Sequence, residues 1–506
     1  MSPNQPTQPT VGAVAPLGVE FNGINVIDES ERKGAPHDLF WPWAAANISV
    51  LGIGYGAYVL AFGVNFTQAV IAGLVGIVVS FLLCGFVALA GKRGSAPTMI
   101  LSRAAFGVHG NRVPSAVSWL LRVGWETVLA GLAALASATV IHRLAGGGDS
   151  AAKIIGFVVV VLLVIAAGVL GFDTIMRLQT WITYATVVLT VGYILLTLSH
   201  VHWAAVSAMP AGSVQEWVGA LVFVMTGFGL GWVNSAADYS RYLPRSASSR
   251  GVVGWTTFGS SVAPVVLLLF GLLLAGSSKP LREALNSDPI GALTEVLPTW
   301  YLVPFIIVAV LGLVGGAVLD IYSSGLALLS VGVRVPRPVA AGIDGVIMTA
   351  GAIYLVFVAN NFLFPFMGFL ITLGVPIAAW AGIMLADLAL RHRDYAEPDL
   401  FVASGRYGAV RWGSVALLLF GSVVGWGLVV NTYAGWLGWQ GYLLDPLGLG
   451  HKVDGQWQGA WTGANLGVLF ALVIGFVGWL VFGRASAAAQ ESRPVVPDQP
   501  EPLPAQ

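Results

Sequence analysis

Several ionisable side chains stand inside long apolar runs, where a charge is expensive unless it is paired or has work to do. Arg122 and Glu126 lie four residues apart, flanked by Trp125 and Thr127, so on a helix they share one face and can pair. Asp320 interrupts Val318-Leu319-Asp320-Ile321-Tyr322, just after the glycine-containing run Gly312 to Gly316, with no basic residue close by in its own segment. Asp238, in Asp238-Tyr239-Ser240-Arg241, and Asp387, four residues before Arg391, read instead as interfacial acids with arginines nearby. A carboxyl group at membrane depth that gains and loses a proton can couple transport to a proton gradient. Asp320 is the first candidate for that role and Glu126 the second, because Arg122 offers Glu126 an ion-pair partner.

A second pattern occurs twice. Gly52-Ile53-Gly54-Tyr55-Gly56 and Gly227-Phe228-Gly229-Leu230-Gly231 are both Gly-x-Gly-x-Gly, and each follows a tryptophan (Trp41, Trp217) by ten or eleven residues. Three glycines in five residues weaken a helix by about 1 kcal/mol each. Opened backbone at membrane depth is tolerated only where it lines a cavity or is buried in protein. The pair therefore predicts two interrupted helices around a binding site; ordinary close helix packing is the plain alternative for either motif alone. Phe228 and Trp232 at one motif, and Trp125 beside Glu126, offer ring faces next to freed amides, which suits a flat heterocycle.

Other chemistries find no support. There is no Walker motif, dinucleotide-binding glycine fingerprint, His-Glu-x-x-His or cysteine pair, and the seven histidines all fall in tails, loops or segment ends. That argues against an ATP-driven pump and an integral metalloenzyme. The chain is not read as an enzyme, and no cofactor is expected. Cys84, the one cysteine, sits in an apolar run and reads as a buried, inert thiol.

These residues must be carried by a membrane-embedded helical frame. Only 9% of the 506 residues are charged and 57% are hydrophobic, against about 25% charged in soluble domains. Twelve apolar segments of spanning length fall near 41–64, 66–91, 114–141, 154–171, 178–199, 216–237, 251–276, 300–331, 338–360, 361–390, 409–437 and 461–483. The narrowest division is the turn at Asn360–Asn361. With twelve spans and the N-terminus inside, eighteen basic residues fall on the inner side and five (Arg143, Lys153, Lys279, Arg282, Lys452) on the outer. Both termini are therefore expected in the cytoplasm. The polar, proline-containing ends, 1–36 and 485–506, are expected to be disordered tails.

Phe40-Trp41-Pro42-Trp43-Ala44-Ala45-Ala46-Asn47-Ile48-Ser49, Leu101-Ser102-Arg103-Ala104-Ala105-Phe106-Gly107, Val123-Gly124-Trp125-Glu126, and Gly231-Trp232 through Ala236-Ala237-Asp238-Tyr239 together carry a family likeness. The chain resembles the nucleobase–cation symporter-1 family, above all its purine–cytosine permease branch, from about Phe40 to the end of the twelfth segment. The resemblance implies an all-α membrane protein with the leucine-transporter fold. Two inverted five-helix repeats would occupy 37–199 and 200–391, with two additional helices in 392–484. It also implies a substrate site near Ser49, Gly52 and Gly54 on helix 1, with Phe228 stacking on helix 6 beside Trp232 and the backbone of Gly227 or Gly229. Helix 3 would contribute Trp125 and Glu126.

Two departures stand out. Relatives carry an amide four residues after the helix 3 tryptophan, where this chain has Leu129. They carry Asn, and in sodium-coupled members hydroxyl residues, where it has Gly315, Gly316 and Ala317; Asp320 stands where fungal members have another Asn. The activity implied is a secondary active symporter importing a purine, cytosine or related heterocycle across the cytoplasmic membrane. The coupling ion would be H+ or Na+, with the proton favoured by the missing hydroxyls and the two acids. A passive channel or facilitator for a small polar solute is the alternative, and it would not accumulate substrate against a gradient. The expected partners are the lipid bilayer and a nucleobase-like substrate, with no nucleic acid and no obligate protein partner.

Overall fold

The computed structural model describes residues 22–145, 149–169, 172–359, 363–432 and 435–495. Among these, nine helices are long and apolar enough to cross a membrane. The remaining three of the twelve expected places hold a bent pair, Pro36–Asn47 plus Leu51–Leu60 at 66°, and two shorter helices, Trp412–Gly427 and Gly467–Phe482, the latter bent by 53° against Arg484–Ser492. Numbered along the chain, span 1 is Phe40–Asn47 with Leu51–Leu60, span 2 Phe66–Gly94, span 3 Arg112–Ala145, span 4 Asp149–Val169 and span 5 Phe172–Thr197. Span 6 is Val214–Gly227, Gly229–Trp232 and Ala236–Ser240; span 7 is Ser249–Ser277, span 8 Leu302–Val331, span 9 Arg337–Ile353 and span 10 Leu363–Leu390. The last two are the shorter helices just given. The division expected at Asn360–Asn361 lies outside the described residues. A two-stranded hairpin, His451–Val453 with Gln456–Gln458, is the one departure from an all-α fold among the described residues.

The exposed side chains of spans 4 and 5 are large and apolar, including Leu162, Trp181, Val188 and Leu195, as a lipid contact requires. Inside, spans 3 and 8 pack along much of their length, and spans 1 and 6 lie broken beside them. The chain is a multi-pass, all-α membrane protein of the repeat type. Its breaks fall in the first helix and in the sixth.

The breaks differ in kind from expectation. All three glycines of the first motif lie inside the regular helix Leu51–Leu60; the chain opens before them, at Ile48–Val50. Packing holds this glycine-rich helix together. A Cβ at position 56 would sit 2.2 Å from the Gly271 carbonyl carbon, and one at position 271 would sit 2.0 Å from the Ile53 oxygen. Spans 1 and 7 therefore touch backbone to backbone. In span 6 the break falls at Phe228, between two helical segments.

The expected disordered tails are partly built into the fold. Residues 22–36 pack on the face that carries both described chain ends: Ile27 N–H donates to the Ser95 carbonyl at 2.9 Å, Lys33 N–H to Tyr242 at 2.8 Å and Arg241 to Gly23 at 2.8 Å. Arg32 and Arg245 share Glu397 at 3.0 and 2.6 Å. Burial pushes the Glu397 carboxyl above its usual range, whereas a hydrogen bond from Arg245 lowers that of Glu29. At the other end, Arg484–Ser492 is a helix whose buried Gln490 accepts from Arg391 at 2.6 Å. The polar composition that suggested disorder instead serves charged loops brought in from distant sequence.

The glycine contact yields a two-sided prediction. Gly56→Ala should destabilise the detergent-solubilised protein by about 1–3 kcal/mol, because neither backbone can retreat. Gly254→Ala, on an exposed helical position with no atom within 4 Å of the added Cβ, should stabilise it by about 0.5–1 kcal/mol. Thermal melting of both variants against wild type reads the two signs.

Candidate functional site

Phe228 places a peptide reversal in the middle of span 6, with φ −107° and ψ −103°. The groups freed there are not left open. Gly229 N–H donates to Ser80 Oγ at 3.1 Å, and Cys84 Sγ donates to the Gly229 carbonyl at 3.0 Å, both from span 2. Cys84 is buried, as expected, and it also closes the break. A Cβ at Gly229 would lie 2.1 Å from the Ser80 carbonyl carbon, so only glycine lets the two chains approach.

The rings gather around this break. Phe228 packs on Tyr55 with centroids 4.5 Å apart, and Tyr55 stacks on Phe223 at 5.4 Å. Trp125 meets Phe366 edge-on at 5.3 Å and Phe369 at 6.2 Å. Two polar atoms in this cluster, Trp125 Nε1 and Tyr55 Oη, are buried with no hydrogen-bond partner among the described residues. Buried donors of this kind are normally satisfied, and a polar ligand between the rings would satisfy them.

The expected residues divide. Phe228 and Trp125 come together at the break. Ser49 lies at the opening of span 1, where its Oγ accepts from Leu51 N–H at 3.3 Å. Gly52 and Gly54 face Leu267 and Pro289, with added Cβ atoms 3.0 and 3.2 Å away, so they act as packing surfaces. Gly227 ends a regular helix against the Tyr55 hydroxyl, and Gly229 spends its backbone on span 2. Trp232 lies flat under Arg122, whose Cζ is 4.6 Å from the ring centre.

The charged pairing also differs. Arg122 does not pair with Glu126. It crosses to span 8, where Nη1 donates to Asp320 Oδ1 at 2.5 Å, and Nη2 donates to Asn234 Oδ1 at 2.8 Å in span 6. Glu126 is fully buried, and neither carboxyl oxygen has a partner among the described residues. Asp320 is therefore held by a cation, and Glu126 is the carboxyl left without an ion pair. Sequence distance hid this, since Asp320 lies 198 residues from Arg122.

Asp238 is buried, accepting from Thr98 N–H and Oγ1 at 2.8 Å each, and Asp387 is gripped by Arg391 at 2.6 Å. Asp344 on span 9, not singled out above, accepts from Trp119 at 2.7 Å and Ser324 at 2.8 Å. Its place within an apolar segment was a readable signal. So was Tyr55, inside the first glycine motif.

Toward the face opposite the chain ends, a cavity of about 350 Å³ is lined by Gly131, Leu132, Thr139, Arg143, Asp288 and Leu355. Gly131 lies six residues beyond Trp125, or about 9 Å along span 3. At the other face the path is shut: Tyr239 Oη lies 2.9 Å from the Leu319 carbonyl and from Ser323 Oγ, joining span 6 to span 8.

Broken helices 1 and 6 stand against spans 3 and 8 around a cluster of aromatic rings in a multi-pass membrane protein. Residues 26–441 match the family of permeases for cytosine/purines, uracil, thiamine and allantoin, and the chain belongs to that family. It is 25% identical over 415 residues to YxlA of Bacillus subtilis (strain 168), which carries a provisional purine–cytosine permease name, covering 78% of this chain and 85% of that one. The purine–cytosine permease FCY2 of Saccharomyces cerevisiae is 25% identical over 283 residues, covering 54% of this chain and half of that protein. Among solved structures, the nucleobase–cation-symport-1 family transporter Mhp1, closed with bromovinylhydantoin bound, superposes with a TM-score of 0.64 at 18% identity over 94% of this chain and 99% of that one. An inward-facing Mhp1 structure gives 0.65 at 18% identity, over 96% and 100%. The chain is thus a permease of that family, with a transporter's architecture and not an enzyme's.

The Arg122–Asp320 pair gives a stability prediction. Asp320→Leu alone leaves a buried guanidinium short of its anion and should cost about 3–5 kcal/mol. Adding Arg122→Met removes that charge and should recover most of the loss. A double-mutant cycle by thermal or denaturant unfolding in detergent measures the coupling; simple additivity would show that the pair contributes nothing.

Proposed function

We propose that this permease imports a flat nitrogen heterocycle, a purine, cytosine or close relative, across the cell membrane, with both chain ends in the cytoplasm. The observation that carries this reading is the pair of unpartnered buried donors, Trp125 Nε1 and Tyr55 Oη, among the rings at the Phe228 break. Rings supply stacking faces and the two donors supply direction, the combination a heterocycle with ring nitrogens or carbonyls needs. The purine–cytosine names of relatives support the substrate class. The eighteen basic residues on the chain-end side support the orientation.

The driving ion in this reading is the proton. Gly315, Gly316 and Ala317 offer no side-chain oxygen, and Glu126 is a buried carboxyl without an ion pair, the nearby Arg122 being turned to Asp320 and Asn234. A lone ionised carboxylate in such a place is strongly disfavoured. Glu126 is therefore the proton carrier, and Asp320 is the fixed anion of Arg122.

Phe228→Ala should weaken substrate affinity by about 1–3 kcal/mol through lost stacking and burial. Tyr55→Phe, which removes only a hydroxyl, should cost about 0.5–1.5 kcal/mol, and Trp125→Phe, which also shrinks the ring, about 1–3 kcal/mol. Competition of unlabelled purines, cytosine and hydantoins against labelled uptake in proteoliposomes measures all three; unchanged affinities in folded variants would overturn the site. In the same vesicles, an inward proton gradient should drive accumulation that a protonophore abolishes at fixed membrane potential. A strict sodium requirement would refute proton coupling, and equilibration without accumulation would indicate a facilitator.

A further inference from the structure

Arg122 has a free donor, Nε, and Asp320 has a free acceptor, Oδ2, while both oxygens of Glu126 lack partners among the described residues. Glu126 lies one helical turn from Arg122, the spacing at which side chains on one helix meet. The charged and titratable groups facing Glu126 are Arg122 on its own span, Asp320 on span 8 and Asp344 on span 9, with the Ser324 hydroxyl beside them. Asp344 is already occupied by Trp119 and Ser324. Arg122 is thus the one cation in the group, and only one of its arms reaches span 6. That arm, Nη2, holds Asn234, whose amide also donates to Ser118 Oγ on span 3 at 2.6 Å.

We propose that Arg122 is a two-position switch governed by the proton on Glu126. With Glu126 protonated, the carboxyl makes no claim on the guanidinium, and Nη2 holds Asn234, locking the second half of span 6 to spans 3 and 8. When Glu126 gives its proton to water, the new carboxylate draws Nη2 across, while Nη1 stays on Asp320. Asn234 is released, and the segment Gly229–Ser240 loses one of its ties to span 3. Proton loss thereby unlocks the half of span 6 that closes the chain-end face. No covalent bond changes. This inference rests on the proton-coupled reading above and names the residue that turns protonation into movement.

Cys84, the only cysteine, is a built-in reporter: it holds the Gly229 carbonyl at the span 6 break. Its alkylation by N-ethylmaleimide, followed by mass spectrometry in detergent across pH 5 to 9, reads the opening that follows when spans 6 and 2 draw away together from Arg122 on span 3, without any transported substrate. Thiol ionisation itself speeds labelling as pH rises, so each rate is divided by that of Glu126→Gln, which keeps a neutral group at 126. The wild-type ratio should rise by at least about fivefold from low to high pH, the lower end of typical coupling between sites. Asn234→Ala, which removes the catch and leaves Glu126 intact, should label fast throughout. Identical profiles for wild type and Glu126→Gln would overturn the switch; if Glu126→Gln does not fold, slow wild-type-like labelling of Asn234→Ala would overturn it instead. The switch and the proton-driven reading fail separately. Labelling that follows Glu126 while uptake ignores a proton gradient refutes only proton-driven uptake, and the reverse refutes only the switch.

Discussion

A guanidinium at membrane depth is tolerable only if its donors and its charge are answered from several sides. Arg122 receives those answers from two other helices: the Asp320 carboxylate on span 8, and the Asn234 amide with the face of Trp232 on span 6. Removing water from both members of an ion pair costs several kcal/mol per ion, and good geometry must offset it. The surrounding helices are consequently arranged about this one group. Spans 3 and 8 run together along much of their length, and the second half of span 6 is tied to span 3 through Asn234 and to span 8 through Tyr239. The aromatic cluster lies one turn further along span 3, so rings and buried cation share a wall.

Glycine and hydroxyl groups solve the companion problem of broken backbone. Lipid offers no hydrogen bonds, so each opened peptide needs a partner inside the protein. Span 2 supplies Ser80 and Cys84 to the Phe228 break. The span 1 opening is served largely by its own next turn, with Gly52 and Ile53 amides reaching back to Ser49 and Val50 at 2.8 and 3.0 Å.

How much of this could be read from the sequence follows from what each feature depends on. The spans were legible because hydropathy is local: apolar runs of the right length have few alternatives in a chain with so little charge. The span 6 break was legible for a related reason, since Phe228 sits between the first two glycines of its motif. The span 1 break was not, because its three glycines also serve contact with span 7, and spacing alone does not distinguish an opened helix from a close-packed one. Arg122 was visible as a charge out of place, yet its partner was assigned to the nearest acid, Glu126, instead of one carried in by another helix. Asn22–Pro36 failed for the same reason. Its polarity suggested solvent, but the partners that order it, Glu397 and Arg241 among them, come from loops hundreds of residues away.

The glycine contacts bear on what in this molecule is free to move. A break in a helix invites description as a hinge, with the two halves swinging independently. Here each broken helix is pressed, without side chains between, onto an unbroken neighbour: span 1 onto span 7 at Gly56 and Gly271, and span 6 onto span 2 at Gly229 and Ser80. A lever fused along its flank to a rigid bar does not bend alone. Reorientation of spans 1 and 6 must therefore carry spans 7 and 2 with them, so the moving part is a four-helix block whose outer surface slides through lipid. The resistance it meets is set by the thickness and fluidity of the bilayer as much as by the protein.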